Sequence, residues 1–171
     1  STLAAADKLA AAEPAQADHT DQSNHLAAEV QMQFMRPGQL EAAGRTFPVV
    51  YVPFGLIEWH GRHLPLGNDA IKAHAILVKC AEKFGGVVYP PVYFHAGFKQ
   101  EHLVPVLTDL FTRLKRTGYR VIMGVSGHNI KEQIEMIDKA LAPVIADGTV
   151  TGKGYWEMTL SQGPESSSDH A

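Results

Sequence analysis

The chain has 171 residues, 45% of them hydrophobic and 19% charged, with a formal net charge of −3 at pH 7. That length supports one domain with its own core, and the slightly acidic balance excludes the basic footprint of a nucleic-acid or anionic-membrane binder. The apolar runs fall far short of a transmembrane span; the single cysteine, Cys80, excludes an internal disulfide framework and leaves the compartment open.

Residues 1 to about 25 are rich in Ala, Asp, Gln and Ser with little apolar periodicity, and they predict a mobile or loosely docked arm. Residues 26–171 form the expected domain. LAAEVQMQFM at 26–35 predicts a helix, and RPGQLEAAG a second short one, with Pro37 near its start and Gly44 at its end. FPVVYVPFG at 47–55 is rich in β-branched and aromatic residues and predicts a buried strand. DAIKAHAILVKCAEKF at 69–84 predicts a helix closed by Gly85 and Gly86, with Cys80 a small core residue. VVYP predicts a short strand ending at Pro90 and Pro91. His95 and His102 flank a stretch, FHAGFKQEH, expected to line a pocket. The next helix carries Leu103, Leu107, Leu110 and Leu114 on one stripe. RVIMGVSG at 120–127 predicts a second buried strand, and a helix with Ile130, Ile134, Ile137 and Leu141 on one face follows it. VTGKGYWEMTL predicts a last strand. Strand, loop and helix in repetition describe an α/β fold around a largely parallel sheet.

The chemistry concentrates in EWHGRHLPLGND at 58–69. This stretch leaves a strand, and open α/β sheets hold their sites at the carboxyl ends of strands. Glu58 and His60 are two apart at a strand end, which aims both to one side. Asp69, at the start of the next helix, reads alone as an N-cap, and His63 alone reads as a loop histidine. Together, imidazole and carboxylate are the ordinary ligands of zinc or manganese. His128, in VSGHN after the second buried strand, lies on the same end of the sheet and favours a metal site. Trp59 and Trp156 read as core residues, or, for Trp59, as the wall of a substrate pocket. No G-x-G-x-x-G or P-loop follows a strand, which argues against nucleotide binding.

GLIEWHGRHLPLGND resembles the signature of the creatininase (creatinine amidohydrolase) family, G-S-x-E-x-H-G-x-H-L-P-x-x-x-D, and VSGHN, QEH at 100–102 and the terminal SSSDHA resemble its later motifs. The resemblance implies a three-layer α/β/α sandwich that holds two divalent metal ions, zinc or manganese, and hydrolyses a non-peptide amide bond of a small cyclic or linear amide, commonly as a hexamer. It implies that Glu58 binds one metal and His60 the other, that Asp69 bridges them, and that His128 joins the first site. His170 matches the histidine used for proton transfer near the substrate, with His102 the alternative acid. Two departures stand out. Ile130 occupies the place of a ligand glutamate, so the missing carboxylate is expected from the family's late glutamate, beyond Ala171, with Glu132 as the lesser alternative. The sequence also stops just where the last motif begins, so the domain is expected to be incomplete at its C-terminus, with a second chain following Ala171 as one reading. The alternative to an enzyme is a non-catalytic creatininase-like subunit that serves as a scaffold for a partner.

Overall fold

The run VVYVPFGLI forms the central strand β1 (Val49–Ile57), because its side chains are apolar on both faces and only a position between two layers of helices buries both. The structure, a computed structural model, describes residues 29–158. Along the chain, α1 (Pro37–Thr46) precedes β1, and α2 (Asn68–Phe84), β2 (Val87–Val88), β3 (Val92–His95), α3 (Gln100–Thr117), β4 (Val121–Ser126), α4 (Lys131–Ile145) and β5 (Thr151–Trp156) follow it. All pairings are parallel. β1 lies between β4 and an edge shared by β2 and β3, and β5 flanks β4. The result is a three-layer α/β/α sandwich, with α2 on one face of the sheet and α3 and α4 on the other.

β2 and β3 are one strand interrupted by Tyr89, Pro90 and Pro91. The break faces a proline in the central strand. Tyr51 O accepts from Tyr89 N–H at 2.8 Å, while Phe54 O accepts from Gly127 N–H at 2.9 Å, so alternate residues of β1 serve alternate neighbours. Pro53, with no N–H to give, therefore points its bare nitrogen at the gap between Val88 and Val92 rather than at β4.

The larger core half packs Val50, Val52 and Phe54 of β1 against Leu107, Phe111 and Leu114 of α3 and Met136, Ile137, Ala140 and Leu141 of α4. The smaller half sets Val49, Tyr51, Val88 and Val125 against Leu77 and Ala81 of α2. From β1 the chain moves outward to β2 and β3 by way of α2. It then returns across the sheet through α3 to β4. The strand order thus reverses between β1 and β4, and the crevice at their carboxyl ends is where open α/β sheets bind ligands.

Several expectations need correction. No helix spans the described part of 26–35: Val88 N–H donates to Val30 O at 2.8 Å, Gln31 bridges to Val88, and only Met32–Phe34 makes a single 3-10 turn. The open backbone of the sheet edge captures this segment ahead of its modest helix propensity. α1 runs through Gly44 to Thr46. Ile130 is the N-cap of α4 and 40% exposed, and Ile134 is only partly buried; Ile137 and Leu141 lie on the buried face as expected, joined there by Gln133, Met136, Ala140 and Val144. Cys80 is half-buried rather than core, and Trp59, at 71% exposure, is neither core nor in contact with a pocket wall described below. The arm at 1–25 lies outside the described residues. No helix among those described is long and apolar enough to cross a membrane.

Candidate metal centre

Two glycines bring the first turn of α2 onto the strand ends. A Cβ on Gly55 of β1 would stand 2.7 Å from Asp69 Cβ and 2.8 Å from Ala70 Cα, and one on Gly127, just past β4, would stand 2.6 Å from the Asp69 carbonyl carbon. Only bare backbone at both positions lets α2 start this close to β1 and β4. Lys72, one turn into α2, pairs with the buried carboxylate of Glu157 beyond β5 and fixes the same helix end from the other side. Asp69 is consequently buried, at 3% exposure, in the crevice between the strands. Its N-cap reading fails, because Gly67 is the N-cap and Asp69 is the second helical residue. Its carboxylate faces the histidines, with only a long 3.5 Å contact to Leu56 N–H.

Glu58, His60, Asp69 and His128 meet here, although their sequence separations reach 70 positions. Glu58, His60 and Asp69 each offer a donor atom within 4.8 Å of the others. His128 closes the group, its Nδ1 lying 3.0 Å from Glu58 Oε1 and 3.1 Å from Asp69 Oδ2. Asp69 spans the cluster, with Oδ1 turned to His60 and Oδ2 to His128.

The electrostatics of His60 decide what the cluster can hold. Its Nδ1 lies 3.2 Å from the carbonyl oxygen of Glu58, which can only accept, so Nδ1 carries the proton. In the neutral ring Nε2 then presents a lone pair. That lone pair faces Asp69 Oδ1 at 2.8 Å and Glu58 Oε1 at 3.5 Å. Three electron-rich atoms pointing at one another repel unless a proton or a cation lies among them. A ring N–H held by a backbone carbonyl, with the other nitrogen free, is also how metal-binding histidines are commonly oriented. The donor set of two imidazoles and two carboxylates fits zinc or manganese.

Beside the cluster opens a cavity of about 280 Å³. Leu56, Phe94, Leu103 and Met136 form apolar wall, while Glu58, His128, His95, Gln100, Glu132 and Gln133 supply polar groups. The expectation that the stretch after His95 lines a pocket is met by His95, Ala96, Gly97 and Phe98. His102 does not line it; its side chain is 74% exposed on the first turn of α3, 3.7 Å from Glu101. His170 lies outside the described residues. Glu132 lines the cavity, whereas Ile130 beside it offers no donor. The sequence reasoning overlooked Ser126 and Gln133, which are buried beneath His128. The signal available for Ser126 was a hydroxyl inside an otherwise apolar strand.

These features define a class: a three-layer α/β/α protein with a histidine–carboxylate cluster at the switch point of a parallel sheet. The sequence profile of the creatininase family, described as creatinine amidohydrolase, matches residues 33–171, and the chain belongs to that family. Creatinine amidohydrolase of Pseudomonas putida is 26% identical over 134 residues, covering 64% of this chain and 51% of that protein. Mycofactocin precursor peptide peptidase of Mycolicibacterium smegmatis is 42% identical over 60 residues, 32% of this chain and 24% of the peptidase. The matches thus span about half, or less, of these hydrolases. Among solved structures, a manganese creatininase superposes with a TM-score of 0.67 at 22% identity, covering 80% of this chain and 61% of that one. A mutant creatininase of Zn-Zn type gives a TM-score of 0.68 at 20% identity over the same shares. Both similarities establish the fold.

Proposed function

We propose that this chain carries the metal centre of a creatininase-family amidohydrolase that cleaves a non-peptide C–N bond in a small cyclic or linear amide. The observation that carries the reading is the convergence of His60 Nε2 on two carboxylate oxygens within 3.5 Å, with His128 Nδ1 within 3.1 Å of the same two carboxylates. Glu58 and His128 would hold one zinc or manganese ion, His60 the other, and Asp69 would bridge them through its two oxygens. When bound, such a pair of ions supplies an activated water and polarises an amide carbonyl.

The remaining work falls to the chain's own residues. The apolar wall of Leu56, Phe94, Leu103 and Met136 keeps bulk water from one side of the cavity, which strengthens the charge interactions inside it. His95, Gln100 and Glu132 offer hydrogen-bonding groups to orient a bound amide. The leaving nitrogen requires a proton as the C–N bond breaks, and His170 is the donor assigned by resemblance, with exposed His102 the alternative. Assembly into a homo-oligomer, a hexamer by resemblance, belongs to the same proposal.

The test is to load purified protein with zinc or manganese and assay a panel of cyclic and linear amides. Hydrolysis that disappears on chelation and returns with metal supports the reading. Well-folded protein that binds neither ion and cleaves nothing overturns it in favour of the non-catalytic scaffold. The 42% identity with the peptidase favours a second substrate reading, an amide at a peptide end, so short peptides belong in the panel.

A further inference from the structure

One buried hydroxyl organises the backbone of His128. Ser126, the last residue of β4, is 1% exposed, and Gln133 of α4 is 4% exposed. Ser126 Oγ lies 2.7 Å from the carbonyl oxygen of His128, 3.1 Å from the backbone nitrogen of His128, and against the side-chain amide of Gln133. A hydroxyl has one proton and two lone pairs. If Ser126 donates to His128 O, both lone pairs are left for N–H donors. The backbone N–H of His128 is one. The structure sets Gln133 Oε1 against Ser126 Oγ, which would ask one hydroxyl proton to serve two acceptors; turning the Gln133 amide over, so that its NH₂ donates to Oγ, removes that conflict, and the two ends are nearly the same size. In that arrangement the proton and both lone pairs of the Ser126 hydroxyl are used, and both backbone groups of His128 are tied to one atom. Gln133 also lines the cavity that reaches Glu58 and His128.

We propose that Ser126 and Gln133 are positioning residues that hold His128 in place against Glu58 and Asp69 and thereby set the affinity of the cluster for divalent metal. The proposal rests on the metal-centre reading above. It goes beyond that reading by assigning metal affinity to two residues that supply no ligand. Its physical basis is that the imidazole is only as well placed as the turn that carries it. Here that turn, SGHN, is pinned between the end of β4 and the first turns of α4 by a single hydroxyl.

The experiment is a zinc titration of the full chain against a chromogenic chelator, with the melting temperature of the metal-free protein measured for each variant. Ser126→Ala and Gln133→Leu are expected to weaken zinc binding by about 10- to 100-fold, the usual cost of losing an outer-shell partner. Ser126→Thr, which keeps the hydroxyl, should restore affinity to within a few-fold of the parent. Thr108→Val serves as the control. It removes another half-buried hydroxyl, one shared between Val104 O at 2.8 Å and Ala140 O at 3.2 Å and belonging neither to the cluster nor to the lining of its cavity. It should lower stability and leave zinc affinity unchanged. Unaltered zinc affinity in both Ser126→Ala and Gln133→Leu overturns the proposal. So does a loss in Thr108→Val equal to theirs, since it would make the effect one of general stability. If one variant fails to fold, the other decides. Failure of the parent protein itself to bind zinc or manganese is a separate result and counts against the metal centre.

Discussion

Replacing Gly127 with alanine should damage both the fold and the cluster. The backbone there does not have the positive φ that demands glycine, so any penalty comes from crowding. The new Cβ would stand 2.6 Å from the Asp69 carbonyl carbon and 3.1 Å from Asp69 Cα, with the carbonyl oxygen closer still. Ordinary contact begins at 3.4 Å, so the carbon-to-carbon approach alone is short by about 0.8 Å. The obstacle is backbone in the first turn of a helix, held by Lys72–Glu157 and by close packing at Gly55, and it cannot rotate aside as a side chain would. Overpacking of this kind costs about 1–3 kcal/mol, and the rigid neighbour places Gly127→Ala at the upper end. At about 2–4 °C per kcal/mol for a chain of this size, the melting temperature should fall by about 6–12 °C. Because the displaced element is the one carrying Asp69, zinc affinity should fall as well. Thermal unfolding of metal-free protein and a zinc titration measure the two effects. Gly44→Ala supplies the opposite sign: nothing lies within 4 Å of its Cβ position inside α1, and alanine there should stabilise by about 0.5–1 kcal/mol. A Gly127→Ala protein that melts within about 1 °C of its parent and binds zinc equally well would refute the packing argument for the α2–β4 junction.

Phe111 is fully buried and stacks edge-on to Phe54, so Phe111→Ala should cost about 3–5 kcal/mol in urea unfolding. The Tyr119 phenol is pushed up to about 12 by burial, and its hydroxyl has no hydrogen-bond partner among the described residues. Tyr119→Phe should therefore be neutral or stabilise by about 1 kcal/mol in the same assay, whereas a clear loss would reveal a partner for the hydroxyl. Asp147 is held well below the usual carboxylate range by hydrogen bonds from Lys115 Nζ and from the backbone and hydroxyl of Thr149. Because its folded-state pKa is depressed, its contribution is fully present above its unfolded value of about 3.9 and is lost as pH falls below that. The melting-temperature difference between the parent and Asp147→Asn should thus hold from neutrality down to about pH 5 and shrink below about pH 4.

Much of this was legible in the sequence, for identifiable reasons. β1 announced itself because a central parallel strand is apolar on both faces, and α2, α3 and α4 because an apolar stripe at helical spacing has no other use. The grouping of Glu58, His60, Asp69 and His128 followed from placing two polar motifs at the ends of two buried strands. Other features were hidden because they depend on partners distant in the chain. Val30 and Gln31 look helical until the edge at Val88 claims them. β3 looks like loop because Pro90 and Pro91 split it from β2, and the pairing with Phe54–Ile57 that defines it is invisible locally. Ile130 continues the spacing of the α4 stripe, yet it caps that helix and lines the cavity beside the cluster rather than the core. Gln133 looks like a surface residue of α4 until Ser126 is seen beneath it, and Gly55 and Gly127 reveal their purpose only when α2 is in place.

Anomalous diffraction at the zinc edge, from crystals of the protein equilibrated with zinc, addresses the cluster directly. The expected result is density enclosed by Glu58, His60, Asp69 and His128, with His60 Nε2 and the Asp69 oxygens at about 2.0–2.2 Å from the ions. An ordered cluster with no anomalous peak, its histidines bonded to the carboxylates through protons alone, would contradict the assignment of this crevice as a metal centre.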